Sequence, residues 1–361
     1  MKYKLYFVVQ HFRSGGAERV ASVLIEELSS RGYEIIVEAD FNKGQTYLLP
    51  DNVTKVQAFL KQPGKNAIQK MVYFIQRLID RRKNIKKYSP DVVISFLPRT
   101  FFETKLSCLG LHKKHIVSDH TSMDRKIGRL DDYIRRNFYN RADYTTILTH
   151  KDAKLVEGKL RNSVVVYNPL TFRAIDRDEI GKREKIILCV GRVNQWDIKG
   201  YDRICEIWRE ISQQYPDWKL CFVGEASEDT KKRLISISGK ENAERIIFYG
   251  QQSDVKTFYR RAAIFALPSR VEGFPMALAE AMSQGCTCIA FSLNGAIDEI
   301  INEGQDGYII ADGNLLDFRD KLRLLMSDGI IRKTLAENAV ANIKRFDSVN
   351  YADRWVELIE H

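Results

Sequence analysis

The sequence lacks the long apolar runs and the cysteine pairs that are typical of membrane-spanning and disulfide-rich proteins. No apolar run approaches the ~18 residues that a transmembrane helix needs, and Leu5–Val9 is too short for the core of a signal peptide. The six cysteines are scattered, without a CxxC pair and without histidines at metal-binding spacing. We therefore expect a cytoplasmic protein whose cysteines are reduced and mostly buried.

The chain also lacks the dinucleotide-binding fingerprint. It contains no GxGxxG followed by an acidic residue about 20 positions later. This absence argues against an NAD-dependent oxidoreductase built from two nucleotide-binding folds.

The charge of the chain is unevenly distributed over a length that suits about two domains. Residues 1–170 contain 30 Lys and Arg against 17 Asp and Glu, a net charge of +13, whereas residues 171–361 contain 27 against 30, a net charge of −3. The asymmetry favours an anionic partner of the first half, either nucleic acid or an anionic membrane surface, with a merely solvated basic face as the alternative. Because we find no RNA- or DNA-binding motif, we do not expect nucleic acid as a partner.

Short apolar runs alternate with helical patterns along the whole chain. Lys4–Val9 predicts a first strand, Gly15 and Gly16 a turn, and the apolar residues that follow at helical spacing a helix. A second series of the same kind begins at Lys185–Val190 and includes a predicted strand at Ile297–Asn302. The alternation predicts an α/β protein with two facing Rossmann-like, doubly wound domains and a cleft between them.

The polar segment Thr171–Glu184 is the best candidate for a linker between the two domains. We assign residues 1–170 to an N-terminal domain and residues 171–347 to a C-terminal domain. The last helix, within residues 348–361, is expected to pack back on the N-terminal domain.

A long basic helix is predicted at Lys65–Lys87. Its apolar positions recur at helical spacing and are expected to face the core: Ile68, Met71, Val72, Ile75, Leu78 and Ile79. Basic and aromatic residues fall roughly on the opposite side and are expected to form an exposed stripe: Lys70, Tyr73, Phe74, Arg77 and Arg81. Such a stripe suits lipid phosphates or headgroups, although a run of charge is more often a solvated face.

One histidine follows the predicted strand His115–Ser118 almost directly. Ligands of open α/β sheets gather at the carboxyl ends of strands, so His120 is expected to face a crevice rather than the core. Its imidazole could donate a hydrogen bond to phosphate or substrate, or act as an acid or base, with a purely structural histidine as the alternative.

The stretch Ser269–Gly285, SRVEGFPMALAEAMSQG, predicts a strand-end loop followed by a helix. Pro275 suits the first helical position, Met276–Met282 continues the helix, and Gly285 can end it. Unpaired N–H groups are expected at the start of this helix, at Gly273, Phe274 and Met276. Such a helix end attracts phosphate or other oxygen-rich ligands.

Polar residues follow three predicted strands of the C-terminal domain and are expected to meet at one edge of its sheet. Arg192 and Lys199 flank one loop and can hold a diphosphate, the arginine as a planar fork and the lysine as a point charge. Glu225 and Glu272 follow two further strands. Glu280, one turn into the helix, can accept hydrogen bonds from two adjacent hydroxyls. Together these groups fit a nucleotide sugar.

Glu272-Gly273-Phe274-Pro275 with Glu280 resembles the E-x7-E signature of the retaining glycosyltransferases of family 4, which have the GT-B fold. Members of this kind build bacterial lipid-linked glycans, capsules and lipopolysaccharides. Further motifs occur in the order that the family shows: Gly15-Gly16, Ser118-Asp119-His120, Tyr167-Asn168-Pro169, Gly191-Arg192 with Lys199-Gly200, and Val223-Gly224-Glu225. The resemblance covers nearly the whole chain and is most specific in its second half.

The resemblance implies a donor-binding role for the matching residues of the C-terminal domain. Glu272 and the backbone after it would contact the donor sugar, and Glu280 would bind the ribose hydroxyls. Arg192 and Lys199 would hold the diphosphate and neutralise the leaving group. The whole donor-binding set is Gly16, Arg192, Lys199, Glu225, Glu272, Gly273, Phe274, Pro275 and Glu280.

The resemblance also implies roles for the N-terminal domain. His120 would lie near the sugar or the phosphate and would be catalytic together with Glu272, Arg192 and Lys199. Gly16 would offer its N–H to the donor phosphate from the opposite domain. The acceptor would bind mainly to the N-terminal domain.

The expected reaction is transfer of a sugar, with retention, from a nucleotide-diphosphate sugar to a membrane-associated glycan or a lipid-linked acceptor. The expected donor is a UDP-sugar, and we expect neither a metal nor another cofactor. The basic N-terminal half would associate peripherally with the inner face of the cytoplasmic membrane, with Lys70, Arg77 and Arg81 as candidates for lipid phosphate. A non-catalytic nucleotide-sugar-binding module is the alternative. Asp176-Arg177-Asp178 mimics a DxD metal motif but lies in the linker, so no metal site is expected there.

Overall fold

Two parallel sheets organise the chain, one in each of two α/β units. The computed structural model describes four stretches: residues 2–13, 15–59, 66–293 and 295–361. Unit 1 comprises Met1–Thr171 and Ser348–His361, and unit 2 comprises Phe172–Asp347. The break at Thr171 falls within the polar segment that the sequence offers as a linker.

The described residues of unit 1 form a seven-stranded sheet in which every pairing is parallel. Its strands are β1 Lys4–Val8, β2 Glu34–Ala39, β3 Thr54–Gln57, β4 Val92–Phe96, β5 Lys114–Ser118, β6 Tyr144–Ile147 and β7 Ser163–Val165. Their order across the sheet is β3-β2-β1-β4-β5-β6-β7. The helices are α1 Gly16–Ser30, α2 Ala67–Tyr88, α3 Pro98–Ser107, α4 Arg129–Phe138 and α5 His150–Val156.

The described residues of unit 2 form a six-stranded parallel sheet. Its strands are β8 Glu184–Val190, β9 Lys219–Val223, β10 Ile246–Phe248, β11 Ala262–Leu267, β12 Thr287–Phe291 and β13 Gly307–Ile310. Their order is β10-β9-β8-β11-β12-β13. The helices are α6 Tyr201–Ile211, α7 Glu228–Ser238, α8 Lys256–Arg261, α9 Met276–Ser283, α10 Leu315–Ser327 and α11 Gly329–Ile343.

The final helix, α12 Ser348–Glu360, belongs to unit 1 and packs on α1. Trp355 of α12 is fully buried. Asp353 accepts a 2.5 Å hydrogen bond from Arg31, and Ser348 donates one to Glu27. The apolar contact and these polar contacts attach the last 14 residues to the first half of the chain.

Each sheet reverses its winding direction once, between β1 and β4 in unit 1 and between β8 and β11 in unit 2. The strands beside these points are almost wholly buried, because helices cover both faces of a doubly wound sheet. The prediction of two Rossmann-like, doubly wound units is therefore confirmed. In such sheets, the carboxyl ends of the strands beside the reversal form a crevice for ligands.

The predicted strand Ile297–Asn302 is wrong, because the segment is a turn. Its isoleucines are buried all the same, and the N–H groups of Ile300 and Ile301 donate to the carbonyl of Ile297. Burial of an apolar run by a turn gives the same residue pattern as burial by a strand.

Helix α2 is turned the opposite way from its prediction, and Lys65 lies outside the described residues. The predicted inward face is largely exposed, with Ile68 76%, Met71 58%, Val72 47%, Ile75 46% and Ile79 50% exposed. The side predicted to be exposed instead packs partly against the protein. Arg81 is 5% exposed, and Tyr73, Phe74 and Arg77 are half-buried. Five large apolar side chains thus lie on one face of α2 without cover from the described residues.

A buried charge network accounts for the orientation of α2. Arg81 donates a 2.8 Å hydrogen bond to Glu38 of β2, which also accepts one of 2.7 Å from Tyr6. Arg81 further contacts Glu103 of α3, and Arg77 pairs with the same carboxylate. Because an unpaired buried Glu38 would cost several kcal/mol, the arginine face of α2 turns inward.

No helix within the described stretches combines the length and the hydropathy that crossing a bilayer requires.

Candidate active site

Three neighbouring strands of unit 2 deliver polar residues to the same edge of the sheet. Strands β9, β8 and β11 are adjacent and parallel, and the winding reverses between β8 and β11. Arg192, Glu225 and Glu272 follow these strands within a few residues of their carboxyl ends. The expected convergence of these three loops is therefore present at the reversal point of the sheet.

Lys199 and Glu272 form the central contact of this edge. Nζ of Lys199 lies 2.8 Å from Oε1 of Glu272, and Ser269 donates a second hydrogen bond of 2.8 Å to the same oxygen. Both partners of the ion pair are largely buried, with 21% and 13% of their side chains exposed. Lys199, in the loop after β8, therefore holds the carboxylate of Glu272, in the loop after β11.

Close backbone packing brings these two loops together. Gly200 has a φ of +65°, and a Cβ at this position would lie 1.8 Å from the carbonyl oxygen of Pro268. Next to it, the N–H of Arg270 donates to the carbonyl of Ile198. Because any side chain at position 200 would collide with backbone, the glycine is required for the contact between Lys199 and Glu272.

Arg192 is exposed and makes no side-chain ion pair within the described part of the chain. The side chain of Lys199 passes close to Gly191, the residue before Arg192. A Cβ at Gly191 would lie 3.4 Å from Cε of Lys199. The two cations thus border the same glycine. An uncommitted guanidinium beside a lysine suits an anionic ligand with several oxygens.

The loop of Glu225 is attached to the loop of Arg192. The carbonyl of Glu225 accepts a hydrogen bond from the N–H of Asn194, and the side chain of Asn194 accepts one from the N–H of Ser227. The carboxylate of Glu225 is exposed. A polar group therefore lies at the end of β9, as predicted, and its loop is held in place by backbone contacts.

Helix α9 begins one residue later than predicted, because Pro275 is its N-cap and not its first residue. The helix has no side-chain cap. Gly273 is half-buried beside this helix start, whereas the ring of Phe274 is buried against Phe346 at 5.4 Å between centroids. The ring of Phe274 is thus part of the packing of unit 2. Gly285, with a φ of +77°, follows the end of the helix as predicted.

Glu280 is more enclosed than a ligand-facing residue would be. It is 4% exposed, and its Oε2 accepts a 3.0 Å hydrogen bond from the hydroxyl of Tyr259 on α8. The predicted binding of ribose hydroxyls by Glu280 stays a prediction, with Tyr259 as a hydrogen-bond donor beside it.

His120 lies at the carboxyl end of β5 in unit 1. Its Nε2 is 3.0 Å from the hydroxyl of Ser118, its Nδ1 is 3.1 Å from Oδ1 of Asn168, and its ring stacks on Phe96. With Asn168 as acceptor, Nδ1 carries the proton and Nε2 accepts from Ser118. Burial lowers the pKa of His120 to about 4, although Asp119 and Asn168 act in the opposite direction. The ring is therefore neutral near pH 7, and both nitrogens are engaged.

The aspartate of the same motif has a structural role. Asp119 is buried and binds Arg135 of α4 through both carboxylate oxygens, each at 2.7 Å. It also accepts a 2.7 Å hydrogen bond from Tyr139. Asp119 thus attaches α4 to the end of β5, next to His120.

Gly16 is exposed at the first position of α1, as predicted. A carboxylate is already present there, because a Cβ at Gly15 would lie 2.1 Å from Oε2 of Glu18. An acidic group at a helix start satisfies the positive end of the helix. A phosphate at Gly16 would have to share this position with Glu18, so the role of Gly16 stays a prediction.

The three residues predicted to hold lipid phosphate differ in their surroundings. Lys70 is exposed, whereas Arg77 and Arg81 pair with Glu103 and Glu38 and face inward. The expectation of an exposed Arg77 and Arg81 is therefore wrong, and only Lys70 is open to an outside anion.

In the linker motif Asp176-Arg177-Asp178, which mimics a DxD metal site, Asp176 forms ion pairs with basic side chains. Asp176 pairs with Lys344 at 2.6 Å and with Arg173 at 2.9 Å. Within the four described stretches, no group of three His, Cys, Asp or Glu has the arrangement of a metal site.

Sequence reasoning gave no site role to three residues that contact or border a predicted site residue of their own unit: Ser269, Asn168 and Tyr201. Ser269 shares the carboxylate of Glu272, and its position two residues after a buried strand was the available signal. Asn168 belongs to the motif Tyr167-Asn168-Pro169, but its contact with His120, 48 positions away, has no local signal in the sequence. Tyr201 follows Gly200 and has a buried hydroxyl without a hydrogen-bond partner in the described residues. That hydroxyl lies 2.8 Å from the Cβ position of Gly191, beside Lys199.

Two family models together match most of the chain. The model described as glycosyl transferases group 1 matches residues 172–341, and the model described as glycosyltransferase family 4 matches residues 14–171. The two matches meet at residues 171 and 172, where the structure divides into its units.

Curated relatives and solved structures match over nearly the full length. The chain is 25% identical to a GalNAc-alpha-(1->4)-GalNAc-alpha-(1->3)-diNAcBac-PP-undecaprenol alpha-1,4-N-acetyl-D-galactosaminyltransferase of Campylobacter jejuni, over 99% of this chain and 98% of the relative. It is 26% identical to the amylovoran biosynthesis glycosyltransferase AmsD of Erwinia amylovora, over 99% of both chains. The Anabaena HepE structure in complex with UDP and glucose superposes with a TM-score of 0.76 at 17% identity, covering 99% of each chain.

Proposed function

The chain belongs to the family 4 glycosyltransferases of the GT-B fold, and we propose that it is a retaining enzyme that transfers a sugar from a UDP-sugar to a lipid-linked glycan. The observation that carries the proposal is the ion pair of Lys199 and Glu272 at the reversal point of unit 2, next to the uncommitted Arg192. This arrangement presents two cations for a diphosphate and one carboxylate for hydroxyl groups.

The donor diphosphate is held by Arg192 and Lys199. A UDP-sugar carries two negative charges on its diphosphate, and one more charge develops there as the glycosidic bond breaks. Two cations at one edge stabilise that charge, which lowers the barrier to departure of UDP. A UDP-sugar is supported by the fold that the chain shares with the UDP-bound HepE structure.

Glu272 binds the sugar and does not act as a nucleophile. Its Oε1 already accepts from Lys199 and Ser269, and those hydrogen bonds make the carboxylate a poor attacking group. Its Oε2 is left to accept a hydrogen bond from a sugar hydroxyl. Retention then follows from departure and attack on the same face of the sugar, with a phosphate oxygen taking the proton of the acceptor.

The roles of Glu280 in ribose binding and of His120 in catalysis are limited by the surroundings of their side chains. Tyr259 donates a hydrogen bond to Oε2 of Glu280, and the contact of Glu280 with the ribose stays a prediction. His120 is neutral near pH 7 and both ring nitrogens are engaged, so it orients the end of β5 more than it transfers protons.

The acceptor and the membrane are the partners of unit 1. A lipid-linked acceptor is supported by the C. jejuni relative, whose name specifies a PP-undecaprenol-linked glycan. Membrane association is supported by the exposed apolar face of α2, which runs from Ile68 to Ile79 and is followed by the exposed Lys83, Lys86 and Lys87. A helix with an exposed apolar face and lysines beside it suits the interface of an anionic bilayer. We place the enzyme peripherally at the inner face of the cytoplasmic membrane.

The proposal is tested with a panel of radiolabelled nucleotide sugars and a bacterial lipid extract as the source of acceptor. We expect one UDP-sugar to give a labelled product that partitions into organic solvent, with UDP released in equal amount. Binding of a nucleotide sugar without turnover on any acceptor would instead identify a non-catalytic binding module. Release of UDP with inversion at the anomeric carbon, determined by NMR of the product, would contradict a retaining mechanism.

A further inference from the structure

Unit 1 contains a cavity of about 470 Å³ that none of the predicted site residues lines. It lies between the loop Met123–Lys126, helix α4 and the end of α5 with the residues up to Leu160. Its volume is within the range of small-molecule sites. We call this space the α4–α5 cavity.

The floor and the rim of the α4–α5 cavity differ in chemistry. Apolar side chains form one part of its lining: Met123, Leu155, Val156 and Leu160. Exposed cations form another part: Arg125, Lys126, Arg136 and Lys159. None of these four cations forms a side-chain ion pair with the described residues. A cavity of this kind suits a ligand with an apolar chain and an anionic end.

The other charged residues of the cavity are already committed. Arg135 binds Asp119 through two hydrogen bonds of 2.7 Å and is unavailable to a ligand. Asp132 accepts from the N–H of Ile127, and Asp124 lies 3.5 Å from Lys151. The charge that the cavity offers to a ligand is therefore positive.

The α4–α5 cavity also lies on the helical layer of unit 1 that contains α2, α3 and α4. Helices α2 and α3 pack together, as do α3 and α4. Large apolar residues are exposed along this layer beyond the face of α2: Leu109, Leu130, Tyr133 and Leu155. Arg135 also connects the cavity to Asp119, the residue before His120 at the end of β5. The cavity therefore lies next to the side chain that attaches α4 to the carboxyl end of β5.

We propose that the α4–α5 cavity binds the polyprenyl diphosphate part of the acceptor, with the first prenyl groups on the apolar floor and the diphosphate at the cationic rim. This assignment rests on the proposed function, because it requires an acceptor that is linked to a lipid diphosphate. It deepens that function by separating the site for the lipid anchor from the donor site of unit 2.

Farnesyl diphosphate is a short soluble probe of this chemistry, and titration calorimetry measures its binding to the full chain. Saturating UDP is present throughout, so that the probe cannot occupy the donor diphosphate site. The test variant is the double substitution Arg136→Ala with Lys159→Ala, which removes a cation from each side of the rim. The matched control is Arg129→Ala with Lys154→Ala, which removes the same charge from exposed positions of α4 and α5 outside the lining.

We expect the wild type and the control to bind farnesyl diphosphate with affinities within about twofold of each other, and the test variant to bind at least tenfold more weakly. The test variant loses two charge-assisted contacts to the diphosphate, and we expect their combined loss to reach at least this tenfold change. A floor variant, Leu155→Gln, should also weaken farnesyl diphosphate and leave any binding of inorganic pyrophosphate unchanged. Circular dichroism checks that all variants are folded.

Three results would overturn the assignment: no binding to the wild type, equal binding to the test variant, or equal affinity for inorganic pyrophosphate, which would indicate a free-phosphate site. Displacement of the probe by phosphatidylglycerol at equal affinity would also overturn it, in favour of a membrane phospholipid. Failure of the proposed function is separately visible. Farnesyl diphosphate bound in the cavity without transfer to any lipid-linked acceptor rejects the function alone, whereas transfer without such binding rejects the cavity alone.

Discussion

The Nζ atom of Lys199 lies 2.8 Å from Oε1 of Glu272, although the two residues are 73 positions apart in the chain. The contact joins the loop after β8 to the loop after β11, at the reversal point of the sheet in unit 2. Gly200 permits it, because the backbone of Pro268 fills the position that a side chain would take. The contact that supports the proposed binding of a sugar nucleotide thus depends on a glycine at position 200.

Tyr259→Phe tests the enclosed carboxylate of Glu280. Removing the hydroxyl takes away the buried hydrogen bond to Oε2 of Glu280, so we expect the free energy of unfolding to fall by about 1–3 kcal/mol and the KM for the nucleotide sugar to rise. Thermal unfolding and donor kinetics measure the two effects. The matched control is Tyr215→Phe, whose hydroxyl makes a 3.4 Å contact at the surface. Equal unfolding temperatures for both variants and the wild type would argue against a structural role for this hydrogen bond.

The stability of unit 1 should fall in mild acid because of its buried histidines. Burial lowers the pKa of His120 to about 4 and that of His115 to about 3, from an ordinary value of 6.5. Between the lowered pKa values and pH 6.5, the unfolded chain binds more protons than the folded chain. The stability that the neutral histidines contribute is therefore full above pH 6.5 and is lost as the pH falls towards 4.

His120→Gln isolates the contribution of one histidine. The amide of glutamine can replace both hydrogen bonds without titrating. Between pH 7 and pH 5, the free energy of unfolding of the variant should therefore fall by about 1–2 kcal/mol less than that of the wild type. Urea unfolding at the two pH values measures the difference, with His112→Gln at an exposed position as the control. The same acid sensitivity in His120→Gln and the wild type would refute the assignment of a neutral His120.

The exposed face of α2 should determine binding to membranes. We expect Ile75→Gln with Ile79→Gln to reduce sedimentation with vesicles rich in phosphatidylglycerol at least fivefold, since both apolar side chains leave the interface. Ile330→Gln is the control, because Ile330 is 80% exposed on a helix of unit 2. Vesicles of phosphatidylcholine should bind the wild type weakly, because they lack the negative charge that attracts the lysines. Undiminished sedimentation of the α2 variant would rule out this face as the contact.

Chelation of divalent metals should leave transfer unchanged. Arg192 and Lys199 supply two positive charges for the diphosphate, which is the charge that one divalent cation would bring. Initial rates in EDTA and in added magnesium should agree within about twofold. A rate that collapses in EDTA and recovers with magnesium or manganese would show that the two cations do not suffice.

The positions of the candidate site could be predicted from the sequence because they follow buried strands. Arg192, Glu225 and Glu272 each lie just after an apolar run, and parallel strands bring such residues to one edge. The pairing of Lys199 with Glu272 could not be predicted, because it depends on how closely two loops approach at Gly200. The enclosure of Glu280 likewise depends on Tyr259, which belongs to a different helix.

The orientation of α2 shows where periodicity fails. The spacing of Ile68, Met71 and Ile75 defines an apolar face correctly but does not say whether that face meets the core. The buried charge network of Arg81 with Glu38 and Glu103 decides the matter, and Glu38 lies 43 positions from Arg81. The burial of an arginine against a strand carboxylate has no local signature in the sequence.

The most direct test of the central claim is acceptor-dependent release of UDP by Lys199→Ala, compared with Lys185→Ala. Lys185 forms an exposed pair with Asp217, which contributes little. We predict that Lys199→Ala lowers the initial rate at least about 100-fold while the chain stays folded, because it removes a charge that stabilises the leaving group. Lys185→Ala should match the wild type. Full activity in Lys199→Ala would contradict the account.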